Sequence, residues 1–334
     1  MDKIIMAHGS GGKESLNLIK NVFFKNFNNK ILLQQNDSGI IQYENMNIAI
    51  TTDSFVVTPI FFPGGDIGKL SICGTVNDIA VSGAKVKYIT VGFILEEGLK
   101  IESLNKIAES MARTAKEAGV EIIAGDTKVV EKGYGNELYI NTTGIGFFED
   151  KSILDKNNIK VGDKIIINGY IGDHGMAILA ERESLGALTE LKSDCTPLND
   201  LISDILSVTN NVRVMRDPTR GGVATTLNEL IENTRKSICV YEEKLPIREA
   251  VNSYCELLGL DPLYIANEGK VICIVDEKDA EKVLKVMKKH PKGSNASIIG
   301  EVIEGDNERV YLKTSYGATR LLRIAEGEIF PRIC

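Results

Sequence analysis

Several carboxylates in this chain stand where an ionised side chain is costly. Asp78 falls on a segment, residues 66–84, whose apolar residues surround it on a helical wheel. Ile67, Leu70, Gly74 and Val81 share its side, and Ile72, Val76 and Ile79 occupy the opposite one. A helix apolar on both sides is buried, and an ionised Asp within it needs either an ion-pair partner or a metal at a cleft. Asp53 interrupts the β-branched run Ile50-Thr51-Thr52-Asp53-Ser54-Phe55-Val56-Val57, although Asp is disfavoured in strands. Gly125-Asp126-Thr127-Lys128 follows Ile122-Ile123-Ala124, and Asn267-Glu268-Gly269-Lys270 precedes Val271-Ile272-Cys273, so each sets charge against an apolar run. Asp37, in Asn36-Asp37-Ser38-Gly39, also reads as a plain turn residue. Isolated aspartates, rather than a His/Cys cluster, suit a hard cation such as Mg²⁺.

Arg216-Asp217-Pro218-Thr219-Arg220-Gly221-Gly222 ends a predicted strand and opens a predicted helix. Backbone N–H groups and two arginines converge there beside a carboxylate, which suits a nucleotide phosphate with its metal. A capped helix with solvated arginines is the plainer alternative. His8-Gly9-Ser10-Gly11-Gly12-Lys13 invites comparison with the Walker phosphate loop, which would need Gly at position 7 and Ser or Thr at 14; the chain has Ala7 and Glu14. A dinucleotide fingerprint counted from Gly9 fails at the same Glu14. What remains is a basic glycine loop opening a helix, either folded over an anion or a loose terminus. Gly169 to Gly175, with Gly172-Asp173-His174 at its centre, reads first as a tight strand-to-helix connection.

The elements that must position these residues follow from hydrophobic period. Helices are predicted over 14–27, 66–84, 101–118, 175–184, 198–209, 222–234, 247–258 and 277–289. Strands are predicted over 47–57, 86–96, 120–130, 137–148, 164–168, 212–216, 237–241, 269–276, 297–303, 309–313 and 318–323. Without strict βαβ alternation, the pattern favours an α+β protein over a doubly wound sheet. The 334 residues suffice for two cores, and the polar stretch 149–158 divides domains at 1–155 and 156–325, leaving a tail at 326–334. With 39 Lys+Arg against 46 Asp+Glu, the net charge of −7 makes a general nucleic-acid binder a poor expectation. No apolar run approaches the ~20 residues that cross a bilayer. The opening MDKIIMAHG is too short in apolar residues for a secretory signal. Six cysteines without a CxxC pair, and three distant histidines, argue against zinc and fit free thiols in a reducing cytoplasm. Cys73, Cys239 and Cys273 lie in apolar runs and are expected to be buried. Cys334 differs, being the last residue.

Taken together, Thr51 to Ser54, Phe61-Phe62-Pro63-Gly64-Gly65-Asp66-Ile67-Gly68, Gly74-Thr75-Val76-Asn77-Asp78, Ala124 to Lys128, Gly172 to Gly175, Arg216 to Gly222 and the ending Pro331-Arg332-Ile333-Cys334 resemble the HypE family of hydrogenase maturation factors. The internal motifs mark the wider aminoimidazole ribonucleotide synthetase and selenophosphate synthetase superfamily, and the terminal Pro-Arg-Ile-Cys separates HypE from the rest. The resemblance implies a two-domain α+β (PurM-like) fold, with a homodimer formed through the amino-terminal, ATP-binding domains. It implies ATP-dependent dehydration of a carbamoyl group carried on Cys334 to a thiocyanate, releasing ADP and phosphate. The partners it implies are the carbamoyltransferase HypF, which loads Cys334, and the HypC–HypD complex, which receives cyanide for the [NiFe] hydrogenase iron. In that light Asp53, Asp78 and Asp217 are candidates for Mg²⁺–ATP, with Asp37 and Asp126 as weaker ones. Gly11, with His8 and Lys13, is expected to close over the triphosphate, and Thr127 and Thr219 to join the nucleotide site. Lys128 and Glu268 are the candidates for carbonyl-oxygen stabilisation and proton removal. The tail, about 30 Å when extended, is long enough to enter a cleft or meet a partner, and Pro331 stiffens it.

Overall fold

Two runs of alternating and continuous apolar sequence build two sheets, which a buried helix joins. The computed structural model describes residues 3–27, 29–149, 153–183, 190–305 and 307–326, so Cys334 and the tail beyond Glu326 lie outside the described residues. The first sheet has five strands in the order β1 (Gly39–Tyr43), β2 (Met46–Phe55), β7 (Leu138–Phe147), β5 (Lys85–Glu96), β6 (Glu121–Val130). Only the edge pair β5–β6 is parallel, because α3 (Ile101–Ala118) crosses between those two strands. A small hairpin, β3 (Phe61–Phe62) with β4 (Gly65–Asp66), leads into α2 (Ile67–Val81). Asp66 starts that helix: its Oδ1 accepts from the backbone N–H of Gly68 at 2.8 Å and of Lys69 at 3.0 Å. As its pattern required, α2 is buried on nearly every side, and it packs on β2 and β7. Gly146 permits the approach, since a Cβ there would meet Ile79 Cγ2 at 2.3 Å.

The second sheet has seven strands, in the order β14 (Thr319–Leu322), β13 (Val310–Lys313), β10 (Lys236–Tyr241), β12 (Ser297–Glu304), β8 (Lys164–Ile167), β11 (Ile272–Val275), β9 (Val212–Arg216). Its central strands are buried on both faces, which is why they read as unbroken apolar runs. Ile165, Ile167, Ile272 and Ile274 face α6 (Gly222–Ile231). Ile166, Cys273 and Val275 face the other way, into a core shared with α2, α5 (Asn199–Val208) and α8 (Glu277–Lys289). Hence α2 lies between the two sheets, with its polar Asn77 and Asp78 near the seam. Two further helices, α4 (Asp173–Arg182) and α7 (Glu249–Leu258), pack together beside the second sheet.

Three departures from the sequence expectation have physical causes. The strand β1 went unpredicted because its hairpin turns at Glu44-Asn45, with Glu44 at φ 54°, without the Gly that signals such a turn. The helix expected over 14–27 divides into α1 (Lys13–Leu18) and a wider π-helical stretch, Ile19–Phe24. Cys239 is half-buried rather than buried, facing out from β10.

Candidate active site

The cleft is built where three pieces of backbone end. The strand β2 carries Thr52, Asp53 and Ser54 along the rim, α2 presents Gly74 and Asp78, and the loop between β9 and α6 presents Asp217, Thr219 and Arg220. Asp37, Glu229, Gly11 and Glu268 complete a cavity of about 380 Å³. Thr51 Oγ1 lies 3.1 Å from Asp78 Oδ2 and 2.9 Å from the Asp37 carbonyl oxygen. Thr75 Oγ1 donates to Asp53 Oδ2 at 3.4 Å. Arg216 Nε donates to Asp37 Oδ1 at 2.9 Å, and its guanidinium reaches Glu229 at 3.5 Å. The glycines of Arg216 to Gly222 have the positive φ that turns the chain from β9 into α6.

Six carboxyl groups therefore line the cleft against two guanidiniums, Arg216 and Arg220. Burial raises Asp78 well above the ordinary carboxylate range, and the charges of Asp53, Asp217 and Asp37 raise it further. Asp217 is pushed up to about 8, first by burial and then by Asp37. Burial also raises Asp37 and Asp53, against the opposing pull of Arg216 and Arg220 respectively. Glu268 is raised well above its ordinary value by burial, then by Cys195, Asp217 and Asp194. Asp217 Oδ2 is buried without a hydrogen-bond partner among the described residues. Such a site is short of positive charge. A triphosphate could not lie among these carboxylates unless cations came with it, and an all-oxygen donor set matches Mg²⁺. The residues present fit that ion, although no three His, Cys, Asp or Glu side chains among the described residues already converge on one metal position.

The other predicted residues are distributed unevenly. Gly11, at φ +80°, packs so closely on the β9–α6 loop that a Cβ would meet Arg220 Cβ at 2.5 Å, which seats the glycine loop at the cleft. His8 Nδ1 instead accepts from the Ile5 N–H at 3.0 Å, and Lys13 Nζ pairs with Glu326 at 2.9 Å, away from the cavity. Asp126, Thr127 and Lys128 lie on β6, exposed along almost its whole length. The Lys128 ammonium pairs there with Asp126 at 3.2 Å. Asp126 and Lys128 line a second cavity, of about 420 Å³, which shares Ser54 and Phe55 with the acidic cleft. Cys334 lies outside the described residues.

Sequence reasoning passed over Thr51, Glu229 and Asn77 as site residues. Asn77 is buried, takes the Leu198 N–H at 2.8 Å and donates to the carbonyl oxygens of Thr196 and Glu268 at 3.2 and 3.3 Å. Its signal was present, a buried amide on an all-apolar helix beside Asp78, which demands partners on every polar atom.

The chain matches the family models for the AIR synthase related protein, N-terminal domain, over residues 35–148, and C-terminal domain, over residues 160–313. It is 46% identical to the carbamoyl dehydratase HypE of Cupriavidus necator over 333 residues, covering 99% of this chain and 95% of that one. Among solved structures, it superposes on HypE in a HypE–HypF complex with a TM-score of 0.87 at 48% identity, covering 92% of this chain and 99% of the other. It superposes on the hydrogenase maturation protein HypE in complex with ATP with a TM-score of 0.83 at 43% identity, covering 99% of this chain and 100% of the other.

Proposed function

The chain belongs to the HypE family of carbamoyl dehydratases, within the AIR synthase related proteins, and we propose that its acidic cleft dehydrates a carbamoyl group borne on its own Cys334 at the expense of ATP. The observation that carries the reading is the cleft itself, where carboxylates from both sheets surround a cavity that needs cations before it can accept a triphosphate. Solved HypE with ATP supports the nucleotide, and the HypE–HypF complex supports the carbamoyltransferase HypF as the partner that loads the thiol.

An amide oxygen leaves poorly as hydroxide, so a nitrile requires a better leaving group. Attack of the carbonyl oxygen on the γ-phosphorus breaks the bond to ADP, and loss of one of the two N–H protons to solvent leaves an O-phosphorylated imidate with a single proton on nitrogen. Removal of the nitrogen-bound proton then expels phosphate and leaves Cys–S–C≡N. The balance is one carbamoyl group and ATP in, one thiocyanate, ADP and phosphate out. Mg²⁺ would neutralise the phosphate oxygens, held by Asp53, Asp78 and Asp217. Glu268, with its raised affinity for a proton, suits removal of the N–H proton, and Lys128 suits the carbonyl oxygen. Asp37, Thr219 and the loop through Gly11 border the nucleotide, and Asp126 and Thr127, exposed on β6, would reach only the cleft of a second copy.

That last placement bears on assembly. The outer edge of the first sheet is a ten-residue strand with Ile122, Ile123 and Val129 exposed, which supports a homodimer through the amino-terminal domains, 1–155. Residues 156–325 form the second domain, and 326–334 the tail that presents Cys334 to HypF and then delivers cyanide to HypC–HypD. The described cysteines are free thiols, which suits work in a reducing cytoplasm. Among the described residues no helix is long and apolar enough to cross a membrane.

Intact-mass spectrometry tests the reading. Carbamoylated full-length chain given Mg²⁺–ATP should lose the mass of one water, and Cys334→Ala should never take up the carbamoyl group. An unchanged mass in fully loaded, folded protein would refute the dehydratase.

A further inference from the structure

Residues 190–198, between α4 and α5, form neither helix nor strand, yet Leu191, Ser193, Cys195 and Leu198 in this segment are buried. The segment is tied to the first sheet's side of the molecule: Ser193 N–H donates to the Pro63 carbonyl at 2.8 Å, and Asn77 holds both the Thr196 carbonyl and the Leu198 N–H. From its middle, Asp194 reaches the strand-leading peptide of the second sheet. Its Oδ1 accepts from the Glu268 N–H at 3.1 Å, and its Oδ2 accepts from the Gly269 N–H at 3.2 Å and from Lys270 Nζ at 2.8 Å. The side chain is only 5% exposed. On the opposite side of the same peptide, Asn77 takes the Glu268 carbonyl oxygen. The backbone of Glu268 is thus gripped at both its N–H and its C=O by side chains from two other elements, while its own carboxyl lines the cleft.

We propose that Asp194 is a positioning residue for the dehydration, fixing through the backbone N–H groups of Glu268 and Gly269 where the Glu268 carboxyl stands against the substrate. The proposal rests on the reading of Glu268 as the group that takes the substrate proton. The aspartates that hold the nucleotide belong chiefly to β2 and α2, whereas Glu268 belongs to the second sheet. Proton removal works only when the base is within hydrogen-bond reach, so the two halves of the site must be held in register. Charge-assisted bonds to a buried carboxylate, itself neutralised by Lys270, supply a stiffer link than apolar packing would. Against the opposing effect of burial, the Lys270 ammonium and the His174 ring beside it hold the Asp194 carboxyl below its ordinary value.

The test uses full-length chain, carbamoylated on Cys334, in single turnovers at saturating Mg²⁺–ATP, with nucleotide affinity measured separately. Asp194→Asn keeps the shape but offers Gly269 and Lys270 an amide in place of an oxygen. The dehydration rate should fall about tenfold to a hundredfold, the cost of a base displaced by a fraction of an ångström to one ångström, while ATP affinity stays at the wild-type value. Because Asn leaves Lys270 buried and unpaired, the double substitution Asp194→Asn/Lys270→Met is made as well, and should show the same split between rate and affinity. In a Glu268→Gln background, Asp194→Asn should add no further loss. If Glu268→Gln is inactive and either Asp194 variant turns over at the wild-type rate, the positioning role is wrong and the base stands. Should Glu268→Gln itself react at full rate, the reading of Glu268 falls and takes this role with it. Rate and ATP affinity falling together in both Asp194 variants would show Asp194 to be merely structural and overturn the proposal.

Discussion

Asp78 and Lys128 come from motifs of similar appearance, short charged interruptions of apolar sequence, but the fold treats them in opposite ways. Asp78 is turned inwards, where burial and three neighbouring aspartates make its charge costly. Lys128 stands on an open sheet edge, its side chain 70% exposed and paired with its neighbour Asp126. The acidic cleft thus gathers its carboxyl groups from several elements of one chain, while β6 holds its charged side chains on an open edge. Similar local sequence thus leads to opposite surroundings: the cleft crowds like charges together out of water, whereas the β6 edge leaves its charges in water.

The most severe test of that contrast removes a carboxylate. Asp78→Asn and Asp217→Asn should each slow dehydration roughly a thousandfold, the several kcal/mol of charge stabilisation a bound ion supplies. Thermal unfolding should occur at the same temperature or higher, because each change also removes like-charge repulsion. Loss of activity together with loss of the fold would mean that the carboxylates are structural. Asp126→Asn, on the exposed edge, should leave the affinity of a single chain for ATP unchanged in a titration, and a loss as large as that of Asp78→Asn would erase the contrast.

Buried and exposed groups should separate in their pH response too. His174 lies wholly buried, with Nδ1 2.7 Å from Ser193 Oγ and Nε2 without a hydrogen-bond partner among the described residues. Burial lowers its pKa from 6.5 to about 4. The unfolded chain therefore binds a proton that the folded chain refuses between those values. Its contribution to stability is complete above pH 6.5 and is lost as the pH falls towards 4. The loss amounts to about 3–4 kcal/mol at ~1.4 kcal/mol per unit. Denaturant midpoints measured across that range should fall for the wild type and fall less steeply for His174→Gln; parallel curves would show that another group controls the acid limb.

Next in size is the exposed strand β6. Lys128→Ala should cost about a hundredfold in dehydration, as the loss of one oxyanion donor does, without altering the fold. If β6 completes the cleft of a second copy, mixing Lys128→Ala chains with Asp78→Asn chains should restore about a quarter of the wild-type activity, since half the dimers then carry one intact site. No recovery in mixtures shown to exchange subunits would place Lys128 in the site of its own chain.

How much of this was legible in the sequence differs between the same two regions. The wheel around Asp78 led to a helix buried on all sides, and α2 is one. Asp53 was singled out because Asp is misplaced in a strand, and it lines the cleft. In both cases a local rule was broken at a residue that lines the cleft. The exposure of β6 was not legible, because Ile122-Ile123-Ala124 reads as core and nothing local says that a strand will be the edge of its sheet. Asn77 and Asp194 were missed for a related reason. Their partners lie in other elements, Asp194 reaching Glu268 and Asn77 reaching both Thr196 and Glu268, and such distant pairings have no period. Lys13 shows the limit from the other side: its place in a glycine loop suggested phosphate, yet its ammonium faces Glu326.

That pairing yields the smallest predicted effect. Both side chains are mostly exposed, at 59% and 63%, so the bond itself adds little to stability. Its interest lies in where it sits, for the Lys13 N–H also donates to the Ala325 carbonyl at 3.0 Å, and Glu326 opens the tail that ends in Cys334. If the pair does no more than tether the base of the tail, Glu326→Gln should leave the melting temperature unchanged and alter single-turnover dehydration by about twofold at most, as for other exposed pairs. Lys13→Ala would match it. If Lys13 instead leaves Glu326 for the triphosphate, the two variants should part: Lys13→Ala would weaken ATP binding, and Glu326→Gln would strengthen it by freeing the lysine. Raising the salt concentration distinguishes the cases further, because screening should abolish the difference between wild type and Glu326→Gln while leaving the buried carboxylates of the cleft almost untouched.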